Sequence, residues 1–276
     1  MDRIVSVSSM AFDGFPLETA LDELAALGVR FVEPASVDKV FQHLVEADFC
    51  DSRAVWLRRE LTARNLACLS LSAHMDLTQP DSVGRFYRRL EFAQAIGART
   101  VNSIAGPVGG LEGFRANIPA IAKRATELGI IVALENHGDL VNCGAQIVEF
   151  VQAVGSPAVR ANYDTGNAWY YAKGGIDPAA ELAEVAPVVA HVHLKAPSVE
   201  EGMMRWVALG EGVLDLPAVG RVLRTRLPGV PVSIELSLRQ RSRDFEPRWR
   251  TPEFPSLPEI RGIITRSLRA LERILV

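Results

Sequence analysis

This sequence has few cysteines, no long apolar run and no excess of basic charge. Its three cysteines, Cys50, Cys68 and Cys143, are widely spaced and form no C-x-x-C pair. Neither a disulfide framework nor a thiolate zinc site is therefore expected, and a reducing compartment is. No apolar segment approaches the roughly 20 residues of a bilayer-spanning helix. The start, Met1-Asp-Arg-Ile, lacks the basic region and apolar core of a secretion signal. The expected setting is cytoplasmic, away from membranes. A formal net charge of −3 and a pI near 6.0 give no general attraction to phosphate backbones, so nucleic acid is not an expected partner. Also missing is a glycine-rich phosphate loop after the first apolar run, where the chain reads Ser8-Ser-Met-Ala-Phe-Asp-Gly14. That argues against an open dinucleotide-binding sheet.

What the chain does have is alternation. Short β-branched or aliphatic runs at 3–12, 29–33, 66–74, 99–105, 130–135, 159–164, 188–193 and 230–235 are separated by helix-like segments. In 16–27, Leu17, Ala20, Leu21, Leu24 and Leu27 form one stripe, stopped by Gly28. Further helices are expected at 51–64, at 82–96 before Gly97, at 111–128 before Gly129, and at 143–154. Another opens at Asp177-Pro178, and two more cover 214–227 and 257–275. Residues 36–47 are additional, while 196–212 and the polar stretch after Glu235 read as loops. Alternation of this kind in an unbroken chain predicts a parallel sheet closed by right-handed crossovers, an α/β (β/α)8 TIM barrel. Such a barrel needs about 250 residues, so residues 1–276 are expected to form one domain.

Polar residues cluster where these runs end. Glu33, His74, Glu135, Asp164, His193 and Glu235 stand at or beside the ends of six predicted strands, and in a closed barrel those ends share one rim. Carboxylates gathered there repel one another unless a cation lies between them. The mixture of carboxylate and imidazole suits Mn2+ first, with Mg2+, Co2+, Fe2+ and Zn2+ as alternatives. His191 and His193 face one side of their strand by period-two alternation. Position favours His193 for the metal and His191 for a layer behind it, with the reverse assignment open.

The motifs Leu134-Glu-Asn-His137, Tyr163-Asp-Thr-Gly-Asn167, His191-Val-His-Leu-Lys195, Leu209-Gly-Glu-Gly-Val-Leu-Asp215 and Ser233-Ile-Glu235 resemble, in order, signatures of the xylose isomerase-like barrel superfamily. That group includes ketose 3-epimerases, inosose isomerases and dehydratases, and hydroxypyruvate isomerase. The resemblance implies a metal held by Glu135, Asp164, His193 and Glu235, with Glu135 and Glu235 also forming the acid/base pair. It implies a keto sugar or cyclitol substrate, isomerised or epimerised by proton abstraction beside a chelated carbonyl through an enediolate. His74, His137, Asn167, His191, Lys195, Arg205 and Trp206 are the expected substrate contacts. A homo-oligomer is compatible with this reading.

Two departures from the epimerase pattern stand out. Asn167 replaces a histidine, and an amide cannot shuttle a proton. No arginine follows the seventh-strand histidines before Arg205. Lys195, with His191 and His137, suits instead a dehydratase or lyase acting on an inosose, a dehydroshikimate-like acid or a 3-keto glycoside. Endonuclease IV is similar to this group in its barrel but needs three zinc ions and many more histidines than the five here. A non-catalytic sugar-binding barrel is the remaining alternative. The arginine-rich stretch 239–250 is either a solvated loop or a cover that brings guanidinium groups to a carboxylate, a phosphate or a neighbouring subunit. Phe12, Trp169, Tyr170, Tyr171 and Trp206, just past strand ends, are candidates for an aromatic wall.

Overall fold

The computed structural model describes residues 3–138 and 140–276. Its strands are β1 (Val5–Ser8), β2 (Phe31–Glu33), β3 (Ala35–Val37), β4 (Phe41–Gln42), β5 (Ser70–His74), β6 (Thr100–Ser103) and β7 (Ile131–Glu135). They continue as β8 (Val159–Asp164), β9 (Val189–Leu194), β10 (Ala196–Glu200), β11 (Met203–Val207), β12 (Val232–Ile234), β13 (Gln240–Arg243) and β14 (Trp249–Arg250). The helices are α1 (Leu17–Ala26), α2 (Asp51–Ala63), α3 (Ser82–Ile96), α4 (Leu111–Leu128), α5 (Gly144–Val154), α6 (Thr165–Tyr171), α7 (Pro178–Val185), α8 (Leu216–Thr225) and α9 (Leu257–Leu275). None of the described helices is long and apolar enough to cross a membrane.

The main sheet runs β2-β1-β12-β9-β8-β7-β6-β5-β3-β4. Its two sides are joined by one stretch of chain. β2 pairs in parallel with β1, and after Pro34 the same stretch, now β3, pairs in parallel with β5. Proline has no N–H to donate, so it stands where the strand changes partner. β2 and β3 together act as the second of eight parallel staves, and the sheet is thereby curled into a barrel.

Period-two alternation divides the staves chemically. Val7, Val32, Leu71, Val101, Val132, Leu134, Val192 and Ile234 belong to the main apolar cluster with helix residues such as Leu21, Leu90, Ile121 and Ile264. The intervening positions carry Glu33, Ser70, Ser72, Asn102, Asn162, His191 and His193, all buried. Glu33 on β2 reaches His193 on β9, although these strands are not neighbours, so the polar side chains meet across the interior. TIM-barrel interiors are usually packed with branched apolar side chains; this one is held by hydrogen bonds.

Several local expectations change. Residues 9–12 form a 3-10 turn rather than the end of the first strand, with Ser8 capping it through Met10 N–H. A helix not foreseen, α6, follows β8 directly, because Asp164 is its N-cap and accepts from Asn167 N–H at 2.7 Å. The stretches read as loops at 196–212 and 239–250 instead form an antiparallel sheet, β10-β11-β13-β14. This strap lies over the rim and is fixed by a small apolar cluster of Tyr170, Met204 and Trp206, with Trp169, Tyr171 and Phe245 beside it.

On the other side of the rim, the segment after β3 is anchored by Arg89 of α3. Its fully buried guanidinium bonds Glu46 at 2.7 Å and Asp38 at 3.2 Å and lies over the Phe49 ring. Asp38 and Glu46 would keep Arg85, and Glu46 also Arg88, so truncating Arg89 costs chiefly the void left by a fully buried side chain beside Phe49, whereas a half-exposed pair contributes little. Arg89→Ala is expected to lower the unfolding free energy by about 3 kcal/mol, as for other large-to-small truncations of buried side chains. Arg88→Ala, which removes a 47 % exposed side chain from the same Glu46, should lower it by less than about 1 kcal/mol. Denaturant titration of both variants compares them, and equal losses would contradict this anchoring role.

Candidate metal centre

Glu135 ends β7, Asp164 ends β8, His193 is the penultimate residue of β9, and Glu235 directly follows β12. Register brings them together: Asp164 pairs with His193, and Glu235 N–H donates to Leu194 O at 3.1 Å. One ligand atom from each of the four lies within 4.8 Å of the other three, and all four side chains are buried. This is the set that sequence analysis brought forward as metal ligands.

The local folding leaves particular atoms to face the centre. Capping α6 occupies Asp164 Oδ1, while its buried Oδ2 has no hydrogen-bond partner of good geometry and meets only the Lys195 ammonium, at 3.0 Å. Lys195 Nζ also touches Glu235 Oε2 and lies 5.1 Å from the Trp206 ring centre. Glu135 is held from all sides. Asn162 donates to its Oε2 at 2.6 Å, Asn167 donates to its Oε1 at 2.9 Å, and His74 Nε2 lies 3.1 Å from Oε2. Gly166 is required here, since a Cβ on it would come within 2.7 Å of the Trp206 ring and 2.9 Å of Lys195.

His193 stands between two carboxylates. Nδ1 is 2.8 Å from Glu135 Oε2, and Nε2 is 2.8 Å from Glu33 Oε1. Burial disfavours the imidazolium, but Glu33, Glu235 and Glu135 outweigh it and hold His193 well above the usual histidine range. Burial likewise pushes Glu33 up, yet His193, His191 and the Ser70 hydroxyl bring it down to about 2. For Glu135, burial is overcome by His74 and His193, leaving it well below the carboxylate range. Asp164 goes the other way: burial and the nearby Glu135 and Glu235 raise it to about 6 against the pull of Lys195. His191 falls to about 4 because burial dominates.

The residues fit a divalent cation. Three carboxylates and one imidazole form an oxygen-rich donor set of the kind hard and borderline ions take, and Asp164 Oδ2 is a buried acceptor with spare capacity. With Nε2 committed to Glu33, Nδ1 of His193 is the atom facing the cluster, as in carboxylate–histidine–metal arrangements. A second grouping, Glu33 with His191 and His193, also meets ligand spacing. Its atoms are instead engaged by Ser70, Asn102 and Asn162, which makes it a support beneath the first.

Above the centre lies a cavity of about 650 Å³ whose lining includes His74, Glu135, His137, Tyr170, Tyr171, Lys195 and Glu235. Burial, and then the Arg248 charge, push the His137 imidazole well below the usual histidine range. Four expected substrate contacts do not line this cavity. His191 is sealed beneath His193, with Nδ1 3.0 Å from Asn162 Oδ1 and Nε2 facing Glu33. Arg205 lies on β11 with a half-exposed side chain paired to Glu200 at 2.8 Å, outside the cavity lining. Trp206 is turned inward by the same alternation but backs Lys195 without reaching the cavity. Asn167 touches Glu135 and Arg248, so its amide is already committed. Phe12 is core, and Trp169 packs on Phe245. Asn102 and Asn162 were not singled out from sequence, although an amide within a buried apolar run was a readable signal. Arg248 was not distinguished from its neighbours in the arginine-rich stretch.

Residues 21–254 match the family model described as "Xylose isomerase-like TIM barrel", and the chain belongs to that family. Among solved structures, it is similar to a D-psicose 3-epimerase crystallised in the presence of D-fructose, at 17% identity over 99% of each chain with a TM-score of 0.75. It is also similar to an L-ribulose 3-epimerase, at 17% identity over 99% of this chain and 96% of that one, TM-score 0.71. A probable 3-DHS dehydratase from Bacillus anthracis is 15% identical over 98% of each chain, TM-score 0.72. No curated protein sequence matches. At these identities the likeness establishes the fold.

Glu33 touches none of the cavity, yet it fixes the ring that faces the donor cluster. Glu33→Gln is expected to weaken Mn2+ binding about 10- to 100-fold, the usual cost of losing a partner behind a metal ligand. Equilibrium titration with Mn2+ reads this directly, and unchanged affinity would contradict the arrangement.

Proposed function

We propose that this chain is a divalent-metal-dependent isomerase or epimerase that moves a proton beside the carbonyl of a keto sugar or cyclitol. One observation carries the reading. Glu135 and Glu235 arrive from separate staves, both line the cavity, and both share a 4.8 Å cluster with Asp164 and His193 beneath them. Glu135, Asp164, His193 and Glu235 would hold the ion, with Mn2+ first among the candidates. When bound, such an ion supplies Lewis acidity that makes a C–H next to a chelated carbonyl more acidic.

The remaining chemistry belongs to side chains. Glu135, kept ionised by His74 and His193, is suited to accept a proton, and its hydrogen bonds to Asn162 and Asn167 fix its orientation. Glu235, across the cluster, returns or removes a proton from the other side of the substrate, with the Lys195 ammonium against its Oε2. Tyr170 and Tyr171 line the cavity with the apolar faces that sugar rings use. The 3-epimerase neighbours support this direction through a shared fold.

A second reading is favoured by Lys195 alone. Its buried ammonium in the cavity wall is raised above the ordinary lysine range by Asp164 and Glu235 against the pull of burial. It is therefore a weak acid but a fixed positive charge, placed to stabilise a hydroxyl oxygen that leaves with its bonding pair, which would turn proton abstraction into elimination. The dehydratase neighbour shares the fold on which that chemistry would be built.

Mn2+-loaded protein incubated in D2O with a panel of ketoses and inososes is expected to place deuterium at the carbon next to the carbonyl, followed by NMR. Glu135→Gln and Glu235→Gln should each slow that exchange by about 100-fold or more. No exchange across the panel would overturn the proposal. Exchange accompanied by enone absorbance and loss of water would select elimination over isomerisation.

A further inference from the structure

The strap carries five arginines between residues 239 and 250, and their partners differ. Arg239 and Arg250 both clamp Asp13, Arg241 donates to the carbonyls of Leu238 and Gln240, and Arg243 is exposed. Arg248 alone of the five turns a guanidinium into the cavity without a carboxylate partner. Its Nη1 donates to Asn167 Oδ1 at 3.0 Å, its Nη2 donates to Tyr171 Oη at 2.6 Å, and its carbon lies 4.9 Å and 5.3 Å from the Tyr170 and Tyr171 ring centres. Neutral acceptors and aromatic faces hold the group in place but leave its charge uncompensated.

The rest of the lining tilts the same way. Its carboxylates are Glu135 and Glu235, both committed to the metal cluster. Its cations are Lys39, Lys173, Lys195, Arg248 and Arg250. Lys195 is neutralised by Asp164 and Glu235, and Arg250 by Asp13. Lys39, Lys173 and Arg248 form no salt bridge among the described residues, so the outer half of the cavity is positive. A neutral ketose offers a guanidinium only uncharged oxygen acceptors, whereas a carboxylate accepts its N–H groups in a charge-assisted bond and balances its charge.

We propose that the substrate carries a carboxylate and that Arg248 binds it, so that the molecule processed at the metal centre is a keto sugar acid or an acidic cyclitol derivative. This deepens the proposed function and rests on it. The distance fits a small molecule, because a single amide, Asn167, bridges Arg248 Nη1 to Glu135 Oε1. A carboxylate on Arg248 and a carbonyl at the donor cluster would thus belong to one short carbon skeleton. Two of the guanidinium's N–H groups are already taken, which suits a monoanion better than a phosphate dianion. By sharing Asn167 with Glu135, the subsite also couples the seating of the acid group to the orientation of the proposed base.

The test uses Mn2+-loaded protein and three stereochemically matched probes: D-fructose, its C6 acid D-fructuronate, and D-fructose 6-phosphate. Binding is read by calorimetry and exchange by NMR in D2O. The keto acid is expected to bind and exchange best. Arg248→Gln should weaken its binding about 10- to 100-fold, the worth of one hydrogen bond to a charged group, with a much smaller effect on fructose. Arg248→Lys should recover part of the loss, because it keeps the charge without the planar fork. Arg243→Gln, on the exposed face of the strap, should leave keto-acid binding unchanged, as a control for general loss of positive charge. Fructose handled as well as the keto acid, with Arg248→Gln affecting both alike, would overturn the carboxylate subsite and leave the proposed function standing. Preference for the phosphate would overturn the choice of carboxylate. Absence of binding and exchange with all three would overturn both.

Discussion

The imidazole of His193 between Glu33 and Glu135 is the contact on which this molecule's interior depends. Each ring nitrogen faces a carboxylate at 2.8 Å, in a place with no solvent exposure. Burying charge is unfavourable unless it is paired and hydrogen-bonded. Here the pairing runs through the ring from the wall of the barrel to the cluster at its mouth. Glu33 holds one nitrogen and thereby turns the other towards Glu135, Glu235 and Asp164. The same geometry balances charge within the centre and orients a donor for a cation.

That contact explains why the staves alternate so cleanly. Parallel strands buried on both faces usually read as continuous apolar runs, but here the inward positions carry Ser70, Ser72, Asn102, Asn162 and His191, each tied to a charged or polar neighbour. The apolar half faces the helices instead. The strap belongs to the same system from above. Arg248 on the strap, Asn167 on α6 and Glu135 on β7 form one hydrogen-bonded line from the cover of the cavity to the donor cluster. Motion of the strap would therefore reach Glu135 through a single amide.

The legible parts of the fold were those with local signals. The helices 82–96, 111–128 and 257–275 end where expected, because glycine in the left-handed conformation at Gly97 and Gly129 stops the first two and a capping box at Ser256 opens the third. The four clustered residues were legible as run ends together with Glu33 and His74, and the motif resemblance separated the four from the six. What escaped depended in part on distant neighbours. In the β10-β11-β13-β14 sheet only the β11–β13 pairing joins segments far apart in sequence; β10 and β11 form a hairpin through Glu201-Gly202, a short-range turn signal obscured by the charged and proline-containing residues around it. The helix α6 was hidden because its cap, Asp164, was read only as a ligand. Arg205 was favoured over Arg248 for nearness in sequence to the histidines, but strand alternation turns Arg205 outwards while the strap brings Arg248 in.

The central claim is that side chains from four staves converge on one cation. Anomalous scattering at the manganese edge, from crystals grown with Mn2+, tests it most directly. The account predicts a single strong peak bounded by Glu135, Asp164 Oδ2, His193 Nδ1 and Glu235. A peak elsewhere, or none at saturating Mn2+, would contradict it.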